Sequence, residues 1–121
     1  IEKAGLSLSG TDQEQLYKAV LALVTSCFTG SNQNLNWFGY QMLPGGLIMQ
    51  WGNAVVPNGN VPFDVTLPTA FPNKAMRAIC SADGYLAVAS GFGVTTKSKT
   101  QITMWNSGEN DLQLAFFVLG D

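Results

Sequence analysis

Gly39-Tyr40-Gln41-Met42-Leu43-Pro44-Gly45-Gly46-Leu47-Ile48-Met49-Gln50-Trp51-Gly52 joins a Pro-Gly-Gly turn to a short strand that ends in Gln-Trp-Gly. From Leu43 onward the apolar pattern has a period of two, as Leu47, Met49 and Trp51 alternate with Ile48 and Gln50. That is the repeat of a chain whose side chains leave alternate faces of a sheet. The period returns where Val61, Phe63, Val65 and Leu67 alternate with Pro62, Asp64 and Thr66. It returns again where Leu112, Leu114, Phe116 and Val118 alternate with Gln113, Ala115, Phe117 and Leu119. Ala75 to Ser81, Tyr85 to Ser90 and Thr100 to Trp105 are further strand candidates, set apart by Asn58-Gly59-Asn60, Asp83-Gly84, Ser90-Gly91-Phe92-Gly93 and Asn106-Ser107-Gly108. These clusters carry the residues that tolerate turn geometry. Short strands at this spacing predict an antiparallel β-sandwich. The last strand is apolar on both faces, which places it centrally or at a subunit contact.

One helix is expected ahead of the sheet. Thr11-Asp12-Gln13-Glu14 reads as a capping box, with Thr11 at the N-cap, and the helix should end near Cys27, before Thr29-Gly30-Ser31-Asn32. Leu16, Val20, Leu23 and Cys27 are spaced 4-3-4, and Tyr17, Leu21, Val24 and Phe28 lie beside them, so the apolar face is wide. That spacing suits a coiled-coil seam and equally an ordinary amphipathic helix docked on its own domain. Residues Gly30 to Asn36 read as a polar linker. The division is then 1–36, a lead-in and helix, and 37–121, a β-sandwich domain.

The chain has 121 residues, enough for one domain with a genuine core at 46% apolar content. Only 12% of residues are charged, about half the usual share. Such a deficit argues for monomer surface buried against other copies, unless Thr, Ser, Asn and Gln replace charge on a wetted surface. Net charge is -2, and the six basic residues form no stripe, so a nucleic-acid partner is not expected. The longest apolar run, Ala19 to Val24, is too short to span a bilayer, so no membrane insertion is expected. The chain opens at Ile1 without Met, which leads us to expect a longer protein. Cys27 and Cys80, the two cysteines, are expected free and buried, consistent with folding in a reducing cytoplasm.

There is no histidine, so Ser-His-Asp and Cys-His nucleophile pairs and imidazole metal sites are excluded within the chain. Glu109 and Asp111 are the one close carboxylate pair after the helix, but they sit in a Gly/Asn turn where solvated acids are ordinary; no catalytic residue is assigned. The turn from Ser107 to Asp111 has oxygen ligands of the kind Ca²⁺ takes, yet its composition is that of a plain turn, and no metal or cofactor is expected. Gly91-Phe92-Gly93 lacks the pattern of a phosphate loop and reads as a bend or bulge in a strand. Trp37, Trp51 and Trp105 lie in or beside strand-like segments and read mainly as core or interface. The polar turns offer more for binding. Asn58, Asn60, Asp83, Tyr85, Asn106, Glu109, Asn110 and Asp111 can supply hydrogen-bond donors, acceptors and one stacking ring to a sugar.

The opening stretch resembles a signature in the C-terminal domain of bacteriophage tail fibres. Leu67-Pro68-Thr69-Ala70-Phe71-Pro72-Asn73 resembles that family's following Phe-Pro-x-x-Phe-Pro block, with Leu67 where an aromatic is usual. Phe116-Phe117-Val118-Leu119-Gly120 resembles its terminal strand, with Phe116 where Trp is common. The motifs keep family order from Gly39 to the C-terminus, and both changes keep a large apolar side chain. The resemblance implies a homotrimeric, β-rich, non-enzymatic fibre tip in the virion, joined to an upstream fibre shaft. Its implied role is to attach the virion to a bacterial surface, without implying the receptor, for which we expect a host surface glycan such as lipopolysaccharide, or an outer-membrane protein. It also favours helices gathered near a three-fold axis, with Leu16, Val20, Leu23 and Cys27 as trimer interface. A structural trimerisation module and a glycan depolymerase are the competing readings.

Overall fold

A computed structural model describes residues 10–83 and 91–121. The expected strand from Tyr85 to Ser90, the candidate Tyr85 and the lead-in before Gly10 lie outside the described residues. Helix α1 spans Gly10–Ser26, and a short 3₁₀ turn follows at Gly30–Asn32. The strands are β1 (Gln33–Asn34), β2 (Gly39–Met42), β3 (Ile48–Val56), β4 (Phe63–Thr66), β5 (Ala75–Ala82), β6 (Phe92–Thr96), β7 (Gln101–Asn106) and β8 (Leu112–Gly120). Among the described residues they form two antiparallel sheets, ordered β1-β2-β3-β8-β5 and β4-β7-β6. The sequence expectation of a mainly β sandwich after one helix is the architecture observed.

Strand β8 pairs on one side with β3, from Ile48 opposite Gly120 to Val56 opposite Leu112, and on the other with β5. Its two apolar faces follow from this central position. Leu112, Leu114, Phe116 and Val118 point inward and are buried. They meet Val65, Ile102 and Met104 of the smaller sheet, with Leu67 and Phe71 closing the core. Fully burying such a side chain contributes about 1.5–3 kcal/mol. Opposite these bulky residues β5 turns small ones inward, as Ala78, Cys80 and Ala82 face Val118, Phe116 and Leu114. Large against small lets the layers interdigitate at crystal-like density.

Four expectations differ from the structure. The helix begins at Gly10, so Thr11 lies within the first turn and is not the N-cap. Glu14 does not reach back as a capping box requires; it pairs with Lys18 one turn on, Oε1 to Nζ 3.1 Å. Cys27 is free but exposed, because none of α1 is buried, and Cys80 is only half-buried. Gly91-Phe92-Gly93 is not an interruption, since Phe92 opens β6 and Gly93 pairs with Trp105. A Cβ on Gly93 would come within 2.4 Å of the Trp105 ring, so the glycine makes room for an indole packed on the strand. The polar segment after α1 likewise contributes β1, which pairs with β2 at the sheet edge.

The turn at Pro44-Gly45-Gly46 forms as expected, both glycines adopting positive φ (95° and 97°), with the Leu43 amide donating to the Leu47 carbonyl at 2.8 Å. It sits at the same end of the sandwich as the C-terminus of α1. There the Gln41 side-chain amide donates to the Phe28 carbonyl (3.3 Å), and the Tyr40 hydroxyl donates to the Ser31 carbonyl (3.1 Å). Nine residues of β3 carry the chain about 27 Å to the opposite end.

Candidate functional site

The far end of the sandwich collects the turns that sequence reading singled out. Strand β3 ends there, β8 begins there, and β5 and β7 finish there. In Asn58-Gly59-Asn60 the backbone turns left-handed at Gly59 (φ 87°) and at Asn60 (φ 60°), a conformation Asn tolerates better than most residues. This turn docks on the 106–111 turn through backbone and side chain together. The Asn60 amide donates to the Asn106 carbonyl (2.8 Å), the Asn58 amide donates to Asp111 Oδ1 (3.1 Å), and the Asn58 side-chain amide donates to the Glu109 carbonyl.

Asn106 is the fastener of this end, and it is 0% exposed. Its Nδ2 donates to the carbonyls of Asn110 (2.8 Å) and Val56 (3.5 Å), while its Oδ1 accepts the Gly108 amide at 2.9 Å. Those contacts occupy the amide on both sides, as a buried polar group requires. The sequence reading puts Asn106 at the binding surface. The correction is that its side chain is turned inward to join β7, the end of β3 and the 106–111 turn, leaving nothing of it for a ligand.

The remaining described candidates, Asn58, Asn60, Asp83, Glu109, Asn110 and Asp111, are exposed and share this end. Two of their carboxylates already have partners. Asp111 holds the Asn58 amide, and Asp83 Oδ2 accepts from Asn53 Nδ2 and Gln113 Nε2, each at 3.1 Å. Asn53 and Gln113 escape sequence reading, because each looks like an ordinary outward polar residue on an alternating strand. Ser107 escapes it too; its Oγ donates to the Gly91 carbonyl (2.9 Å) and accepts the Gly91 amide (3.0 Å), tying the start of β6 to the same turn. Asn60, Glu109 and Asn110 carry the freest polar side chains of the cluster. Among the described residues no three His, Cys, Asp or Glu side chains converge as a metal site would need, and no helix is long and apolar enough to cross a membrane.

The other candidate surface is α1. Leu16, Val20, Leu23 and Cys27 are all exposed in the single chain, Leu23 at 69%, and so are the flanking Tyr17, Leu21 and Val24. The docked amphipathic alternative is thereby set aside. The helix does not lay its apolar face on its own sandwich. Trp37, read from sequence as core or interface, is 92% exposed. Trp51 and Trp105 are half-buried.

Comparison with known proteins follows this geometry. The family described as "Putative tail fiber protein gp53-like, C-terminal" matches residues 42–120. The fold is similar to that of an N-truncated R2-type pyocin tail fiber, with 17% identity and a TM-score of 0.67, over 99% of this chain and 56% of that one. A P. aeruginosa R2 pyocin fiber matches at 17% identity and TM-score 0.67, over 100% of this chain and 38% of its own length. An N-truncated R1-type pyocin tail fiber gives 17% identity and TM-score 0.64, covering 97% of this chain and 99% of that chain. The chain thus spans about half or less of the R2 fibres it matches. No curated protein matches it.

Proposed function

The chain belongs to the gp53-like tail fiber C-terminal family, and from that premise we propose that it is a homotrimeric receptor-binding tip in the virion, attaching to a glycan of the bacterial surface, such as lipopolysaccharide, by non-catalytic contact. Residues 1–36, apart from strand β1, which pairs with the sheet of the tip, form the neck and trimerisation segment next to an upstream shaft, and 37–121 form the tip. The observation that carries this reading is the opposition of the two ends. The apolar, uncovered α1 meets the sandwich at one end, and the polar turns of Asn58, Asn60, Glu109 and Asn110 gather at the other. A fibre end needs one surface for its own copies and another, pointing away, for the host.

The chemistry favours recognition over turnover. Each polar contact to a sugar hydroxyl replaces one to water and nets about 0.5–1.5 kcal/mol, so one site binds weakly. Three copies raise avidity by about 10² to 10⁴ without new contacts. The free cysteines accord with folding in the host cytoplasm before release.

The test measures mass and binding together. Light scattering should give about three times the 12.9 kDa chain mass, and the domain should bind susceptible cells and purified lipopolysaccharide without releasing sugar. Tyr85→Ala, Glu109→Ala and Asn110→Ala, each still trimeric, should bind more weakly. If Glu109→Ala and Asn110→Ala both bind like the parent, the far-end turns are not the receptor site, and Tyr85→Ala tests that candidate by itself. Binding to cells lost on protease treatment but insensitive to lipopolysaccharide would move the receptor to an outer-membrane protein, and a trimer that binds neither would be a structural module.

A further inference from the structure

The face of the five-stranded sheet turned away from the core is apolar in the half nearest α1, and polar beyond it at Asn53, Ser81 and Gln113. Residues directly opposite one another in antiparallel strands point to the same side. Trp51, Phe117 and Ile79 are such partners, one on each of β3, β8 and β5, so they form a continuous row across three strands. Met49, Leu119 and Arg77 form the next row. The alternation fixes the direction of both, since their neighbours Gln50, Phe116 and Val118 are buried inside. Ile79 is 66% exposed. At the β3 side the row is extended by Trp37, because the Trp51 indole N–H donates to the Asn36 carbonyl (2.9 Å) and the two tryptophans line one cleft.

This face reaches the chain at the end of α1. Gln41 is paired with Met49, which puts it on the outer side, and its amide donates to the carbonyl of Phe28 just beyond the helix. The chain just beyond the helix therefore meets the outer face of the sheet at Gln41. Around the two rows its make-up is that of the inside of a protein interface, with aromatic, Met and aliphatic residues beside Gln41 and one charge, Arg77, while Asp83 lies beyond them with Asn53 and Gln113. Size points the same way. A stable contact buries about 800 Å² on each partner; three strands about 10 Å across fall short of that, and the addition of an α1 stripe about 25 Å long gives a surface on the order of what is needed.

We propose that the row Trp51–Phe117–Ile79, extended by Trp37, packs against a second copy of this chain, so that the subunit contact continues from α1 down the outer face of the sandwich. This rests on the proposed trimer and says which face of the tip closes it. It would leave the far-end turns outside the contact.

Ile79→Glu is the direct test, because the site is exposed on the single chain and the change should spare its fold, as circular dichroism would verify; Val61→Glu, at an exposed loop valine, is the control. Light scattering across a dilution series should show the parent and Val61→Glu as trimers and Ile79→Glu dissociating at a concentration at least ten-fold higher. Ile79→Cys, with Cys27 and Cys80 replaced by Ser, supplies a second measurement that keeps the residue apolar. Maleimide labelling of the introduced thiol should be at least ten-fold slower in the assembled protein than after dissociation. A trimeric parent with an equally trimeric Ile79→Glu, or an introduced thiol labelled at the free rate in the trimer, would overturn the proposed face and leave the trimer standing. A monomeric parent would overturn both.

Discussion

The side chain of Gln50 bonds both backbone groups of Thr69, its Nε2 donating to the Thr69 carbonyl at 2.9 Å and its Oε1 accepting the Thr69 amide at 3.0 Å. Gln50 is 0% exposed. A primary amide has the same donor and acceptor pair as a peptide group, so this glutamine acts as one more strand residue for a loop that has no strand beside it. It also joins the Gln-Trp-Gly stretch to the Leu67–Asn73 block.

Replacing Gln50 by Leu therefore leaves the Thr69 N–H and C=O without partners. An unsatisfied buried group costs about 1–3 kcal/mol, and Gln50→Leu should lower unfolding stability by at least that much despite its apolar side chain. Chemical denaturation of the purified domain checks this; a variant as stable as the parent would show the loop can turn its groups to water.

Asn106 and Asn110 should separate cleanly. Asn106→Ala removes the amide that fastens the far-end turns and should cost about 1–3 kcal/mol. Asn110 lends the bonding network its carbonyl, so Asn110→Ala should stay within about 0.5 kcal/mol of the parent. Thermal melts of the two variants side by side decide it, and they identify which loss of cell binding reports on contact and which on a collapsed loop.

Asp64 makes stability depend on acid. Its carboxylate is held below the ordinary Asp range by hydrogen bonds from Lys97 first and Thr103 second, the latter at 2.7 Å. A depressed carboxyl contributes fully above its unfolded value, and the contribution is lost as pH falls through the folded one. Urea midpoints measured from about pH 6 down to about pH 2 should fall more for the parent than for Asp64→Asn, with the two curves converging at the acid end. Parallel curves would mean the exposed pair is screened to nothing.

The helix should control assembly without controlling the sandwich fold. Leu23→Lys places a charge in the stripe that α1 leaves uncovered, and light scattering should register loss of the trimer while far-UV circular dichroism retains its strand signal. Loss of the strand signal as well would mean that the sandwich folds only as an assembly.

How far the sequence leads can be read from individual strands. β8 is legible because a short run rich in Leu, Phe and Val follows a polar turn, and its two apolar faces announce a central place or a subunit contact. β6 is not, because glycine at 91 and 93 looks like a bend until Trp105 is known to lie over Gly93, and that is a cross-strand fact. Gln50 looks like an outward polar residue; its inward direction depends on Thr69, nineteen positions away. The polar turns are visible from composition, but not their division of labour. Asn106 and Asn110 are the same residue type four positions apart, and only the approach of Val56 and Gly108 sets one inside and the other out. Periodicity reports how a segment faces, whereas partners come from the far ends of other segments.

The central place of β8 also dictates an order of events during synthesis. β3 and β5 are made first and both wait for Leu112–Gly120, so the larger sheet has a gap at its middle until that stretch emerges. Until then Ile48, Val56 and Ala78 have no strand beside them on that side, and β3 and β5 each present an unpaired edge of the kind that invites wrong pairing. In the assembly proposed above, α1 is already made by then with its stripe uncovered, so neighbouring nascent chains would meet through their helices before any one of them has closed its sheet. The tip would then be finished three at a time, each chain completing itself in the company of the other two.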